Sequence, residues 1–409
     1  MTRYSLDRSK IKVLLLEGIH DNAHAYFKEH GYSSIETHPV ALEPSVLATK
    51  LADVHILGIR SRSDITAELI ACARKLITIG CFSIGTNQVD LDTARINGIP
   101  VFNAPYSNTR SVAELVIAEI IMLMRGVPFK NALAHKGKWH KSAKGSYEVR
   151  NKTLGIIGYG HIGTQVSILA EGLGMRVYFF DIVKKLAIGN AVECQSLDEV
   201  LKTADVLTIH VPSTDLTRNM IGDAQLKKMK KGACLINAAR GDVVDYKALA
   251  HYLENGHIAG AAADVFPEEP ASETDPFITE LQKFENVILT PHIGGSTLEA
   301  QANIALEVSH KMVKYSNTGS TLGATNFPQI DLQPNETKQR FLHIHKNIPG
   351  IMQQLNNVFA SRKINIAAQY LQTDTAIGYV IIDSESELEQ DFLDELRKIP
   401  GTIKTRMLY

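Results

Sequence analysis

Short apolar runs alternate with segments of helical period from near the start of the chain to about Leu289. The runs begin at Val13, Val54, Leu76, Thr153, Val177, Val206, Cys234, Ile258 and Val287. Runs apolar on both faces suit strands of parallel sheets covered by helices. Their alternation with helices predicts a doubly wound α/β architecture. Two sheets are expected, one from residues 1 to about 105 and one beginning at Leu154. A long helix near 111–124 and a polar, Lys-rich stretch to Lys152 lie between them. The second sheet should end near His292. A helical segment from Thr297 to Tyr315 could then return to pack on the first domain.

The pattern changes after Phe327. Residues 328–339 are polar and read as a linker. Beyond them the order strand, helix, strand, strand, helix, strand is predicted at 341–345, 350–360, 364–373, 377–383, 388–398 and 402–408. That order fits a small split-βαβ domain. The expected fold class is therefore α/β, with two Rossmann-like parallel-sheet domains plus a C-terminal α+β domain.

Composition adds exclusions. The net charge of -1 gives no global field favouring nucleic acid or an anionic membrane. An anionic substrate must meet local Arg and Lys. Cys72, Cys81, Cys194 and Cys234 form no C-x-x-C pair and read as ordinary residues of a reducing compartment, not as metal or redox ligands. The apolar stretch from Leu115 to Met124 is short and broken by Glu119, against about 18 residues for a membrane span. The N-terminus lacks the apolar run of a signal peptide. A soluble, cytoplasmic protein without metal is expected.

The sharpest chemical signal is Gly158-Tyr159-Gly160-His161-Ile162-Gly163. It follows an apolar strand and opens a helical run, the context a dinucleotide loop needs. Gly158 permits the tight turn, Gly160 the approach of a pyrophosphate and Gly163 the helix–strand contact. Backbone N–H groups at the helix start face the phosphates. Asp181 ends the next strand, where a carboxylate accepts both ribose hydroxyls and repels a 2′-phosphate. NAD is therefore expected over NADP.

Polar residues also gather where strands end, the position at which open α/β sheets bind ligands. Arg60-Ser61-Arg62, Arg240-Gly241, Asp264 and Thr290-Pro291-His292 all follow apolar runs. Oxidising a hydroxyl by hydride transfer needs a base for its proton, a carboxylate to orient that base and a cation for the substrate carboxylate. His292, Glu269 and Arg240 are the candidates. Spacing does not separate Glu269 from Glu268 or Asp264, and His292 reads equally well as a structural histidine.

Leu154–Gly163, Asn237-Ala238-Ala239-Arg240-Gly241, Asp264-Val265-Phe266-Pro267-Glu268-Glu269-Pro270 and Thr290-Pro291-His292-Ile293-Gly294-Gly295 together resemble the D-2-hydroxyacid dehydrogenase family, over roughly residues 10 to 325. The resemblance implies catalytic roles for Arg240, Glu269 and His292. It implies cofactor contacts from Gly158, Gly160, His161, Ile162, Gly163, Asp181, Ala238, Arg240, Asp264, His292, Gly294 and Gly295. It also implies a discontinuous substrate-binding domain, 1–107 with 297–328, around an NAD-binding domain at 108–296, with a cleft that closes on substrate.

Three further features resemble the branch of that family acting on a phosphorylated 2-hydroxy acid. They are Arg60-Ser61-Arg62, the segments Gly80–Asp90 and Asn103–Ser111, and a tail similar to an ACT domain (338–409) with Asn347-Ile348-Pro349-Gly350 at its first turn. By this resemblance the chain oxidises 3-phospho-D-glycerate to 3-phosphooxypyruvate at the first step of L-serine synthesis. Arg60, Ser61, Arg62, Ser107 and Asn108 would bind substrate. Lys141 would join from a partner subunit, because the family uses the arm near 126–146, which carries Trp139, in dimer contacts. His345, Asn347 and Asn365 would bind L-serine as a feedback inhibitor, and two paired interfaces per chain imply a homotetramer. The linker lacks the glycine that a hinge needs. Alternatives are a dehydrogenase of another 2-hydroxy acid, such as 2-hydroxyglutarate, or an NAD-sensing corepressor on the same fold.

Overall fold

In a computed structural model, residues 7–270, 274–334, 339–385 and 390–408 are described. The apolar runs become strands. The first five are β1 (Lys12–Leu15), β2 (Ser34–Thr37), β3 (Ile56–Ile59), β4 (Thr78–Cys81) and β5 (Val101–Phe102), all parallel in the order β2-β1-β3-β4-β5. The next seven are β6 (Thr153–Ile157), β7 (Arg176–Phe180), β8 (Val192–Glu193), β9 (Val206–Ile209), β10 (Ala233–Asn237), β11 (Ile258–Ala263) and β12 (Val287–Leu289). They form a parallel sheet in the order β12-β11-β10-β9-β6-β7-β8. The pattern reading missed β2, β5 and β8. The first and last are half-exposed edges without an apolar run, and β5 has only two residues.

The tail forms β13 (Gln339–Lys346), β14 (Ile366–Thr373), β15 (Ile377–Ser384) and β16 (Thr402–Leu408), antiparallel in the order β14-β15-β13-β16. Helices Ile351–Ser361 and Gln390–Arg397 complete it. The expected class of two doubly wound sheets plus an α+β ending is the one observed. Residues 388–389 of the expected last helix and 335–338 of the expected linker lie outside the described residues.

The chain divides into two compact units, Met1–Ser107 with Gln301–Tyr409, and Asn108–Ala300. The C-terminal sheet thus shares a unit with the first sheet. Alternation along its strands explains why. Phe341, Val380 and Ile382 face the two helices. Leu342, Ile344, Tyr379 and Ile381 face the other way, into a core with Tyr315, Phe327 and Ile330. Burying that second apolar face is favourable by the hydrophobic effect. Part of the expected linker is therefore packed, with the Ile330 amide donating to Thr321 Oγ1 at 2.9 Å. The expected returning helix spans Leu298–Thr318, and its Ile304, Val308 and Met312 join the same core. Among the described residues no helix is long and apolar enough to cross a membrane.

Candidate active site

The glycine loop leaves β6 with Gly158 at φ +89°, a conformation that L side chains rarely adopt. A Cβ at Gly163 would collide with the Gly158 carbonyl, so only glycine brings the helix start this close to the turn. Nothing lies within 4 Å of the place a Cβ at Gly160 would take. That open side is where a pyrophosphate fits, facing the N-terminus of the His161–Gly172 helix, whose first residues are His161 and Ile162. Asp181 is fixed beside the loop, its Oδ2 accepting from the Tyr159 amide and its Oδ1 from the Val183 amide, both at 2.9 Å. These residues fit a dinucleotide.

Two strand ends away, Asn237 folds the segment Ala238–Arg240. Its Nδ2 donates to the Arg240 carbonyl at 3.0 Å and to Tyr246 Oη at 3.1 Å, and its Oδ1 accepts from the Ala239 amide. Tyr246 in turn donates to the Val265 carbonyl at 2.6 Å. A Cβ at Gly241 would overlap the Phe266–Pro267 backbone, so glycine is required for the two loops to touch. Arg240 is half-buried, and burial pulls its guanidinium below the ordinary arginine range, partly offset by Glu269 and Asp242. Sequence reasoning gave Asn237 and Tyr246 no role. The signal that could have found them is a buried amide at a strand end, which must satisfy its hydrogen bonds locally.

Next to these loops His292 Nδ1 meets Glu269 Oε2 at 2.8 Å. Glu269 Oε1 accepts from the Phe266 amide at 3.1 Å. The structure therefore separates Glu269 from its neighbours. Asp264 uses its carboxylate on the backbone of the histidine's loop, accepting from Thr290 Oγ1 at 2.7 Å and from the Ile293 and Gly294 amides at 2.8 Å. The Glu269 hydrogen bond raises the His292 pKa above the ordinary imidazole range, against burial and Arg240. Burial pushes Glu269 up, but the His292 hydrogen bond and nearby charges win and hold it below the ordinary carboxylate range.

The Thr109–Arg125 helix lies under this loop. Val112 packs near Gly294 and Asn108 near Gly295. The same helix carries Glu119, fully buried, with neither oxygen hydrogen-bonded among the described residues. Burial and the Asp264 charge raise its carboxyl to about 8.

Arg60, Ser61, Arg62 and Ser107 belong to the other unit. The Arg60–Arg62 loop follows β3, and neither arginine has a carboxylate within ion-pair distance among the described residues. Ser107 donates to Glu307, which pairs with Lys311 at 2.6 Å, and Lys311 donates to the Asn103 carbonyl at 2.8 Å. Lys141 is exposed, and Trp139 is 90% exposed; Val127 and Tyr147 are exposed as well.

The three residues expected to hold serine do not meet in one chain. His345 pairs with Gly378 in the sheet, and Asn365 precedes Ile366, which pairs with Ser384. Six strand positions separate Gly378 from Ser384, roughly 20 Å. His345 is buried, its Nδ1 3.3 Å from that of His343. Asn347 Nδ2 donates to the Asp374 carbonyl at 2.7 Å, and Asn365 Nδ2 to Glu385 at 3.1 Å.

Residues 117–294 match the family model for the NAD-binding domain of D-isomer specific 2-hydroxyacid dehydrogenases, and 341–404 match an ACT domain like that of the AHAS small subunit. The chain is 56% identical to a D-3-phosphoglycerate dehydrogenase of Haemophilus influenzae, covering 100% of this chain and 99% of that one. It is 54% identical to one of Escherichia coli, covering both chains in full. Among solved structures, a D-lactate dehydrogenase of Aquifex aeolicus complexed with NAD and lactic acid superposes with a TM-score of 0.68 at 28% identity, over 78% of this chain and 100% of that one.

Proposed function

The chain belongs to the D-isomer specific 2-hydroxyacid dehydrogenases, in their D-3-phosphoglycerate dehydrogenase group, and from that membership we propose that it oxidises 3-phospho-D-glycerate to 3-phosphooxypyruvate with NAD at the first step of L-serine biosynthesis. The observation that carries the chemistry is the His292–Glu269 hydrogen bond. An ionised Glu269 can only accept, so Nδ1 holds the imidazole proton and Nε2 is left with a lone pair. The substrate O–H bond then breaks to His292 Nε2 as the C2–H bond gives up its electron pair with the hydrogen. NAD, when bound at the glycine loop, supplies the acceptor for that hydride. Arg240 holds the substrate carboxylate and, in the reverse direction, polarises the keto oxygen.

Arg60 and Arg62, with Ser61, take the phosphate in this reading, and Ser107, Asn108 and Lys141 complete the substrate contacts. Ser107 spends its proton on Glu307, so it meets substrate as an acceptor. We assign residues 1–107 with 297–328 to a substrate-binding domain, 108–296 to the NAD-binding domain and 338–409 to a regulatory domain. L-Serine is the effector of this last domain. A site using His345, Asn347 and Asn365 needs two copies of the C-terminal sheet, since one chain holds them at opposite ends. That pairing and one through the arm carrying Trp139 make a cytoplasmic homotetramer.

The test is NADH oxidation with phosphohydroxypyruvate and with 2-oxoglutarate, each with and without L-serine. Preference for phosphohydroxypyruvate and suppression by serine are expected. Preference for 2-oxoglutarate overturns the substrate, and a flat serine response overturns the effector alone.

A further inference from the structure

Glu17 stands where a surface loop leaves β1, yet it is buried and holds φ 63°, a left-handed conformation uncommon outside glycine. Its carboxylate is fixed at both oxygens. Oε2 accepts from the Arg62 amide at 2.8 Å and Oε1 from the Ser63 amide at 3.0 Å. Its own carbonyl accepts from Arg60 Nη1 at 3.4 Å. The other side of the same loop is held by buried Gln88, whose Nε2 donates to the Arg60 carbonyl. Glu17 therefore touches the backbone or side chain of Arg60, Arg62 and Ser63, three of the four residues of one turn.

We propose that Glu17 is the positioning residue that sets selectivity for a phosphorylated substrate, by holding the Arg60–Ser63 turn so that both guanidinium groups stay available to a phosphate. The inference rests on the reading of Arg60 and Arg62 as the phosphate site. A carboxylate this near two arginines could have neutralised one of them. Instead both oxygens face backbone amides, and neither arginine is ion-paired among the described residues. The Glu17 charge still favours the cationic form of the half-buried Arg60, opposing its burial. The amides of Arg62 and Ser63 are already occupied, so an incoming phosphate is read by the guanidinium groups and Ser61. Ser63 Oγ is buried without a partner among the described residues, so it adds no competing anchor to the turn.

Glu17→Gln separates geometry from charge, because the two act in opposite directions. Losing a negative charge near the site would tighten phosphate binding. Losing the two-amide anchor, with the glutamine NH2 set against a backbone N–H, frees the turn and weakens it. The proposal requires that the anchor wins. KM is measured for phosphohydroxypyruvate and for hydroxypyruvate, which lacks only the phosphate, alongside kcat and NADH affinity. In E17Q the KM for phosphohydroxypyruvate should rise about tenfold, as expected for losing roughly 1.4 kcal/mol. The KM for hydroxypyruvate, kcat and NADH affinity should stay within about threefold. Equal rises in both KM values, or a lower KM for phosphohydroxypyruvate, overturn the proposal. If E17Q does not fold, Glu17→Asp carries the same test. Asp is one methylene too short to reach both amides, so it should show a partial loss of discrimination, and unchanged discrimination overturns the proposal. A wild-type enzyme that does not prefer phosphohydroxypyruvate over hydroxypyruvate refutes the phosphate reading itself, a result distinct from a selective wild type with an equally selective variant.

Discussion

His292 meets Glu269 through Nδ1 and Oε2 at 2.8 Å while its own backbone sits at φ 53° in the left-handed region. A non-glycine residue persists there only where its surroundings over-determine it. Here the Asp264 carboxylate holds the Ile293 and Gly294 amides just beyond the histidine. The strained turn aims the imidazole, and Glu269 sets its tautomer and its affinity for a proton.

The pH dependence of turnover follows from that pair. The Glu269 hydrogen bond raises the His292 pKa above the ordinary 6.5. With His292 as the proposed proton acceptor, oxidation needs it neutral, so kcat/KM for the hydroxy acid should rise with pH through an inflection above 6.5. Reduction of the keto acid needs the protonated form and should fall over the same range. In Glu269→Gln both inflections should move to lower pH, because the neutral amide no longer favours the imidazolium. Parallel pH–rate profiles of the two proteins check this, and unmoved inflections contradict it.

Glu119 predicts a pH dependence of stability. Burial and Asp264 raise its carboxyl to about 8 in the folded protein, against the ordinary value of 4.5. Between those values the folded state keeps a proton that the unfolded state has released. Stability should therefore fall as pH rises from about 5 to 8. Glu119→Gln mimics the protonated group and should remove this component, leaving the variant more stable than the parent at pH 8 by an amount on the order of 4 kcal/mol. Urea unfolding at pH 5 and pH 8 measures it.

Gly241→Ala should separate catalysis from cofactor binding. The new Cβ overlaps the Phe266–Pro267 backbone and pushes away the loop that carries Glu269. Overpacking of this kind costs about 1–3 kcal/mol of stability. The expected result is a fall in kcat of at least about tenfold, since a misplaced catalytic group is that costly. NADH affinity, measured by fluorescence, should change less.

The C-terminal sheet holds a buried cross-strand ion pair, Arg340 of β13 with Asp383 of β15, made through Nε at 2.7 Å and Nη2 at 3.0 Å. Arg340 Nη1 also donates to the Thr318 and Gln333 carbonyls. Asp383→Asn leaves a buried guanidinium without its counter-charge. A loss of about 3–5 kcal/mol of stability is expected by chemical denaturation.

Much of this was legible in the sequence, for identifiable reasons. Interior parallel strands such as β6 and β9 are apolar on both faces and announce themselves, while β2 and β8 are half-exposed edges and do not. Gly158 and Gly163 were readable because their backbone demands exclude other residues. Glu269 was not separable from Glu268 by spacing, since only the fold decides which carboxylate reaches a histidine 23 positions away. Glu17, Gln88 and Glu307 act on residues 28 to 200 positions distant, so local pattern carried no trace of them. Residues 328–334 were polar enough to read as linker, yet Ile330 and Phe327 anchor them in a core that only the second apolar face of the C-terminal sheet completes.

The central claim is that His292 is the proton acceptor of a dehydrogenase whose cofactor is held elsewhere in the same unit. Steady-state turnover of His292→Ala with phosphohydroxypyruvate and NADH, measured beside its NADH affinity, tests this most directly. General acid–base catalysis contributes about 10²–10⁴-fold, so turnover should fall by at least a hundredfold while NADH affinity stays within about threefold. Retained turnover, or a loss of NADH binding as large as the loss of turnover, would contradict it.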